Sequence, residues 1–147
     1  KMSESDPIGR LELEYRTILP IEYVRTVPEN FELEKYTEGT LAGVAFVQLP
    51  NGEPLKKEYK EYKRLEHCLD IGYIWSAHNQ RYHSGKWGDK TGVDFRYLIA
   101  ETRSNDWVKY IQISDFQRGK REFKRILKHL GFATTDGDLR VRLFAYA

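Results

Sequence analysis

Ser114-Asp115-Phe116-Gln117-Arg118-Gly119-Lys120-Arg121-Glu122-Phe123-Lys124-Arg125-Ile126-Leu127-Lys128-His129-Leu130-Gly131 decides that the chain holds helix as well as sheet. Phe116, Gly119, Phe123, Ile126, Leu127 and Leu130 recur at three- and four-residue spacing, the period of one apolar helix stripe. Ser114 with Gln117 three residues on reads as a capping box, and Gly131 supplies the residue type that closes a helix. The predicted helix runs over 115–130. Its other side carries Arg118, Lys120, Arg121, Lys124, Arg125 and Lys128, with Glu122 the one acid among them. Surface helices gain about 0.2–0.5 kcal/mol from each acid–base pair at four-residue spacing, and a run of like charges forgoes this and repels. Phosphates would offset the repulsion, because each one neutralised releases counterions. The plainer reading is a solvated face whose last residues, Lys128 and His129, complement the helix dipole.

Working outward, Leu139 to Tyr146 alternates apolar and polar residues and predicts a strand after the helix. Before it, Val93 to Thr102 and Trp107 to Ile113 read as a hairpin around the turn residues Ser104-Asn105-Asp106. Pro54 opens a second predicted helix, because Leu55, Tyr59, Tyr62, Leu65 and Leu69 also recur at helical spacing. That helix places Cys68 in an apolar row, as a small buried hydrophobe. Ile71 to Trp75 reads as a short strand. The N-terminal third reads as strands at 11–19, 21–27, 31–36 and 41–49, the last nearly continuous and so central in its sheet. Glu12 with Glu14, and Glu32 with Glu34, fall opposite their leucines and are expected in solvent, poor material for acid–base chemistry. The whole predicts one α+β domain over 1–147, residues 1–9 forming a disordered lead-in. Its largely antiparallel sheet would carry two amphipathic helices packed on one face.

Composition narrows the function classes. Ten tyrosines, seven phenylalanines and three tryptophans in 147 residues provide more apolar material than a disordered chain carries. No stretch approaches the ~20 apolar residues of a membrane span, so no membrane partner is expected. The single cysteine excludes an internal disulfide or a cysteine-rich zinc site, and points to a cytoplasmic setting. The net charge of +2 conceals an asymmetry: residues 1–53 carry −5 and residues 54–147 carry +7. Such a field concentrates phosphate-bearing partners near one surface.

Residues 76–92 form the longest predicted loop, with two histidines, two aromatics and three glycines. Arg81, His83, Lys86 and Lys90 could meet phosphates while Tyr82 or Trp87 stacks on a base, the means by which single-stranded nucleic acid is gripped. His78 and His83 lack the spacing of a zinc-protease helix, Gly85-Lys86 lacks the remainder of a phosphate-binding loop, and no dinucleotide or serine-hydrolase motif occurs. No metal and no cofactor is therefore expected. Gly43, Ala45, Phe46 and Val47 overlap in part with an RNA-recognition strand motif, but Ala42 and Val44 stand where it needs a cation and an aromatic. A buried core strand is the better reading.

The expectation is a non-catalytic protein that contacts RNA or single-stranded DNA, possibly as an accessory subunit of a ribonucleoprotein assembly. Arg81, Tyr82, His83, Lys86, Trp87 and Lys90 of the loop, with Arg118, Arg121, Lys124, Arg125 and Lys128 of the helix, are the candidate contacts. One alternative is a protein-binding module, an inhibitor or assembly subunit such as those of mobile elements or host–virus conflict, anchored by Tyr82, Trp87 or Trp107. A second is a nuclease using His78 or His83 as acid and base.

Overall fold

The computed structural model describes residues 7–19, 24–36, 39–41, 45–71, 73–76, 81–84, 91–103 and 108–145. In chain order these form β1 (Pro7–Leu19), β2 (Val24–Thr26), β3 (Thr40–Leu41), β4 (Ala45–Val47), β5 (Leu65–Ile71), β6 (Tyr73–Ser76), β7 (Arg81–Ser84), β8 (Thr91–Arg103), α1 (Ile113–His129) and β9 (Arg140–Ala145). An antiparallel four-stranded sheet in the order β5-β8-β1-β9 is the largest unit; β2-β4-β3 and β6-β7 make two smaller sheets. This is an α+β fold with one α-helix among the described residues. Among the described residues no helix is long and apolar enough to cross a membrane.

Alternation sorts the side chains of the large sheet. Leu13, Val93, Phe95, Tyr97 and Leu65 point to one face and are buried there with Phe123, Ile126 and Leu127 of α1 and with Leu130, which caps it. Each such side chain contributes about 1.5–3 kcal/mol on burial. Tyr97 meets Phe123 with ring centroids 5.7 Å apart, and Phe132, just past the helix, meets Tyr15 edge-on at 5.5 Å. Val47, Leu49, Leu55 and Tyr59 extend the same core. Burial pushes the Tyr59 hydroxyl above its ordinary pKa, although it accepts the Lys56 N–H at 3.1 Å.

Gly131 ends α1 as its sequence implies, with φ +102°, and it serves a second purpose. A Cβ there would lie 2.5 Å from the Asn51 nitrogen and 2.7 Å from Pro50 Cβ, so only glycine lets the turn at 50–51 close on the helix end. Asn51 then donates its side-chain amide to the His129 carbonyl at 3.1 Å and its backbone N–H to the Leu130 carbonyl at 3.3 Å. Two carbonyls that the helix cannot satisfy internally are thereby paired.

Several expectations are corrected. The second helix does not form: residues 55–64 are turns and irregular backbone, and 65–71 is β5. Leu65, His67, Leu69 and Ile71 fit a two-residue period as well as the helical one, and the edge of β8 was available to pair with them. Cys68 is consequently exposed on β5. Residues 31–36 contain a short 3-10 turn at Leu33–Lys35 instead of a strand. The stretch 41–49 is not one strand, since β3 and β4 pair with each other, Leu41 opposite Ala45. Residues 108–112 have no regular structure, so β8 lacks the predicted hairpin partner, and α1 begins at Ile113 behind an N-cap, Gln112, that makes no side-chain capping bond. Pro7 to Gly9 belong to β1 and not to a lead-in.

Candidate functional site

Four of the six cations of α1 are paired with carboxylates, where the sequence suggested an uncompensated row. Arg118 pairs with Asp115 and Arg125 with Glu122, each one turn away on the helix. Lys120 and Lys124 share Asp136, at 2.8 and 3.1 Å, because the 3-10 turn at Asp136–Asp138 returns beside the helix. The bond from Arg125 holds the Glu122 carboxyl below its usual pKa, and those from Lys120 and Lys124 do the same for Asp136. Arg121 and Lys128 have no ion pair among the described residues. These two line a shallow groove of about 510 Å³ together with Lys124, Arg125, Ala133 and Thr134. The Thr134 hydroxyl oxygen is buried with no hydrogen-bond partner among the described residues. Arg118 lies outside that groove, beside Lys63, Arg64 and Lys109.

The loop candidates fare differently. Arg81, Tyr82 and His83 are in β7, opposite Ser76, Trp75 and Ile74 of β6, and are described there as backbone only. Part of the predicted loop is therefore a hairpin. His78, Lys86, Trp87, Lys90 and Trp107 lie outside the described residues. Hence the structure brings Arg121, Lys124, Arg125 and Lys128 together; the rest of the candidate set at 81–90 is not described at the level of side chains. Among the described residues no group of histidine, cysteine and carboxylate side chains could hold a metal ion.

What the sequence reading missed is the other face of the large sheet. Glu12, Glu14 and Asp94, expected in solvent where they were considered at all, are 1%, 3% and 2% exposed. Arginines from neighbouring strands close over them. Arg142 donates to Glu12 at 2.7 Å, Arg140 and Arg96 donate to Glu14, and Arg16 donates to both Asp94 oxygens at 2.7 and 3.0 Å. Arg10 adds a forked pair with Glu66 at 2.9 and 3.1 Å. Long aliphatic stems cover the carboxylates while the guanidiniums satisfy them. Burial raises the Glu14 pKa, but the bonds from Arg140 and Arg96 lower it further, so this group stays ionised. Carboxylates fixed this way hold the strand register, since a one-residue slip would drive Glu12 and Glu14 into the apolar core.

A third feature lies at the sheet edge. β9 is the outermost strand, yet Val141 and Leu143 on it are 58% and 77% exposed, on the same face as the core. Beside them the irregular segment before α1 exposes Val108, Tyr110 and Ile111, Tyr110 to 88%, and Ile113 is exposed on the first turn of α1. Ile111 and Leu143 line one groove of about 200 Å³ with Leu11, Ala100 and Gly9. The signal in the sequence was the apolar content of Val108-Lys109-Tyr110-Ile111-Gln112-Ile113, which alternates like a strand and was assigned to one.

The chain matches no family model, no curated protein and no solved structure.

Proposed function

We propose that this chain is a non-catalytic binding module whose partner is a protein, docked along the exposed edge of β9 and the apolar groove next to it. The observation that carries this reading is the exposure of Val141 and Leu143 on an edge strand, flanked by exposed Tyr110, Ile111 and Ile113. Apolar side chains clustered on an open surface favour association, and an unpaired strand edge presents backbone donors and acceptors for a further strand. The arginine–carboxylate face supports the same reading, for Glu12, Glu14 and Asp94 are each engaged by guanidiniums of neighbouring strands and serve as structural pairs across the sheet. The setting we propose is the cytoplasm, where the lone, exposed Cys68 stays reduced. Affinity capture on the immobilised chain with nuclease present, read by mass spectrometry, tests the proposal. The partner should be retained by the wild type and by Arg121→Glu, and lost by Leu143→Arg combined with Ile111→Arg. A partner indifferent to the last pair of substitutions would overturn it.

A second reading has its own observation. Arg121, Lys124, Arg125 and Lys128 share one groove, two of them without an ion pair among the described residues, which supports contact with the phosphates of RNA or single-stranded DNA, as in an accessory subunit of a ribonucleoprotein. Fluorescence polarisation with labelled oligonucleotides should then show binding that weakens with salt. Removal of Arg121 and Lys128 should lower the magnitude of the log–log salt slope by roughly one per contact. Absence of binding at low salt removes this reading.

A further inference from the structure

The inner edge of β9 displays the kind of strand that its outer edge can take. On the inner edge Glu12 stands opposite Arg142 and Glu14 opposite Arg140, while Leu13 faces Val141 and Leu11 faces Leu143. Carboxylates thus meet guanidiniums on one face of the pair, and aliphatic side chains meet on the other. A guanidinium carries five N–H donors. Arg142 spends one on Glu12 and Arg140 two on Glu14, and their side chains remain 36% and 63% exposed. Donors are left over for a carboxylate arriving from the other side. No strand pairs with that outer edge among the described residues. Charged side chains normally discourage pairing at an edge, but here they are drawn inward across β1.

We infer that the outer edge of β9 receives an extended segment of a partner protein in which carboxylate and aliphatic side chains alternate, running antiparallel to β9. The inference rests on the proposal that the partner docks at this edge, and it names the partner's chemistry. Its carboxylates would bridge Arg140 and Arg142, and its aliphatic side chains would cover Val141 and Leu143. A second copy of the chain fits less well. Antiparallel pairing of two β9 strands brings no carboxylate to Arg140 and Arg142, since Arg140–Ala145 contains none, and the registers centred on Val141 or Arg142 set arginine against arginine. Like charges directly opposite are destabilising.

An NMR titration of the isotopically labelled full chain tests this with two blocked hexapeptides, one alternating leucine with glutamate and one alternating leucine with lysine. The glutamate peptide should shift the amide resonances of residues 140–145 and bind at least roughly tenfold more tightly than the lysine peptide, the consequence of turning attractive cross-strand pairs into repulsive ones. Leu143→Ser, at an exposed position that the core does not use, should weaken the glutamate peptide while leaving the remaining spectrum in place. Equal binding of the two peptides at β9 would overturn the acidic chemistry and leave β9 as the docking edge. Failure of both at millimolar concentration would overturn the inference altogether, while the capture experiment judges protein docking independently. A dimer in sedimentation that Leu143→Ser dissolves would assign the edge to a second copy instead.

Discussion

Arg142 donates to the buried carboxylate of Glu12 at 2.7 Å from the position directly opposite it in the β1–β9 pair. Glu12 is 1% exposed, and its carboxylate meets that guanidinium and Arg10, whose Nη2 lies 3.5 Å away. Removing Arg142 leaves a buried carboxylate partly unsatisfied, which costs about 1–3 kcal/mol; the outer, solvated position of Arg142 keeps the loss in the lower part of that range. Arg142→Ala should lower the denaturant midpoint accordingly. The double variant Glu12→Leu with Arg142→Leu should recover much of the loss, because an apolar pair of similar volume removes the desolvation problem with the charge. A double-mutant cycle from urea melts reads the coupling, and strict additivity of the two changes would contradict the pairing.

The closure of α1 supports a second expectation. Asn51→Ala removes the side-chain bond to the His129 carbonyl and should cost about 1 kcal/mol, as the loss of one hydrogen bond does. Gly131→Ala should cost more, since φ +102° disfavours any side chain and the added Cβ would press on Pro50 and Asn51. Gly119→Ala offers the contrast. Its Cβ would crowd the Cδ1 end of Ile99, at 2.6 Å, and touch Tyr97 Cε1 at an ordinary 3.5 Å; Ile99 can turn aside while the helix gains propensity. Thermal melts should rank Gly131→Ala well below Gly119→Ala; the reverse order would contradict the packing of the 50–51 turn.

Elements with one unambiguous period were legible in the sequence. β1, β8, β9 and α1 lie close to where alternation or the apolar stripe puts them. Residues 55–71 carried two compatible periods, and the choice between them was made by the distant edge of β8, which no local pattern reveals. The same applies to the carboxylate face. Alternation correctly put Glu12 and Glu14 on one side, but Arg142 and Arg140 come 130 and 126 residues later in the chain, and only the sheet order brings them across. Among the helix cations, the pairs Arg118–Asp115 and Arg125–Glu122 were within reach of a local reading at three-residue spacing. The Asp136 bridge to Lys120 and Lys124 needed the tertiary turn.

Cys68 gives a direct chemical check on the strand that replaced the predicted helix. In a helical core row its thiol would resist reagents until the chain unfolds. On β5 it is exposed, opposite Asp94 in the β5–β8 pair. A small alkylating reagent at pH 8 should modify it completely under native conditions, at a rate within about tenfold of an unfolded control. Protection that persists until denaturant is added would contradict the placement of 65–71.

The dependence of stability on pH follows from the same carboxylates. Burial raises the Glu14 pKa, yet the hydrogen bonds from Arg140 and Arg96 bring it below its ordinary 4.5. A group with a depressed folded-state pKa binds its proton more readily when unfolded. Its stabilisation is therefore fully present above the unfolded value and is lost as pH falls through the folded one. Glu122, held by Arg125, and Asp136, held by Lys120 and Lys124, shift in the same direction and add smaller, solvent-screened shares. Denaturant midpoints should be flat from neutrality down to about pH 5 and decline below it. Arg140→Gln removes one of the two arginines whose hydrogen bonds depress Glu14, so its folded pKa moves back toward that of the unfolded chain. The variant should start from a lower plateau and lose less on acidification. An acid limb as steep in Arg140→Gln as in the wild type would mean that Glu14 is not the carboxylate whose protonation opens the sheet.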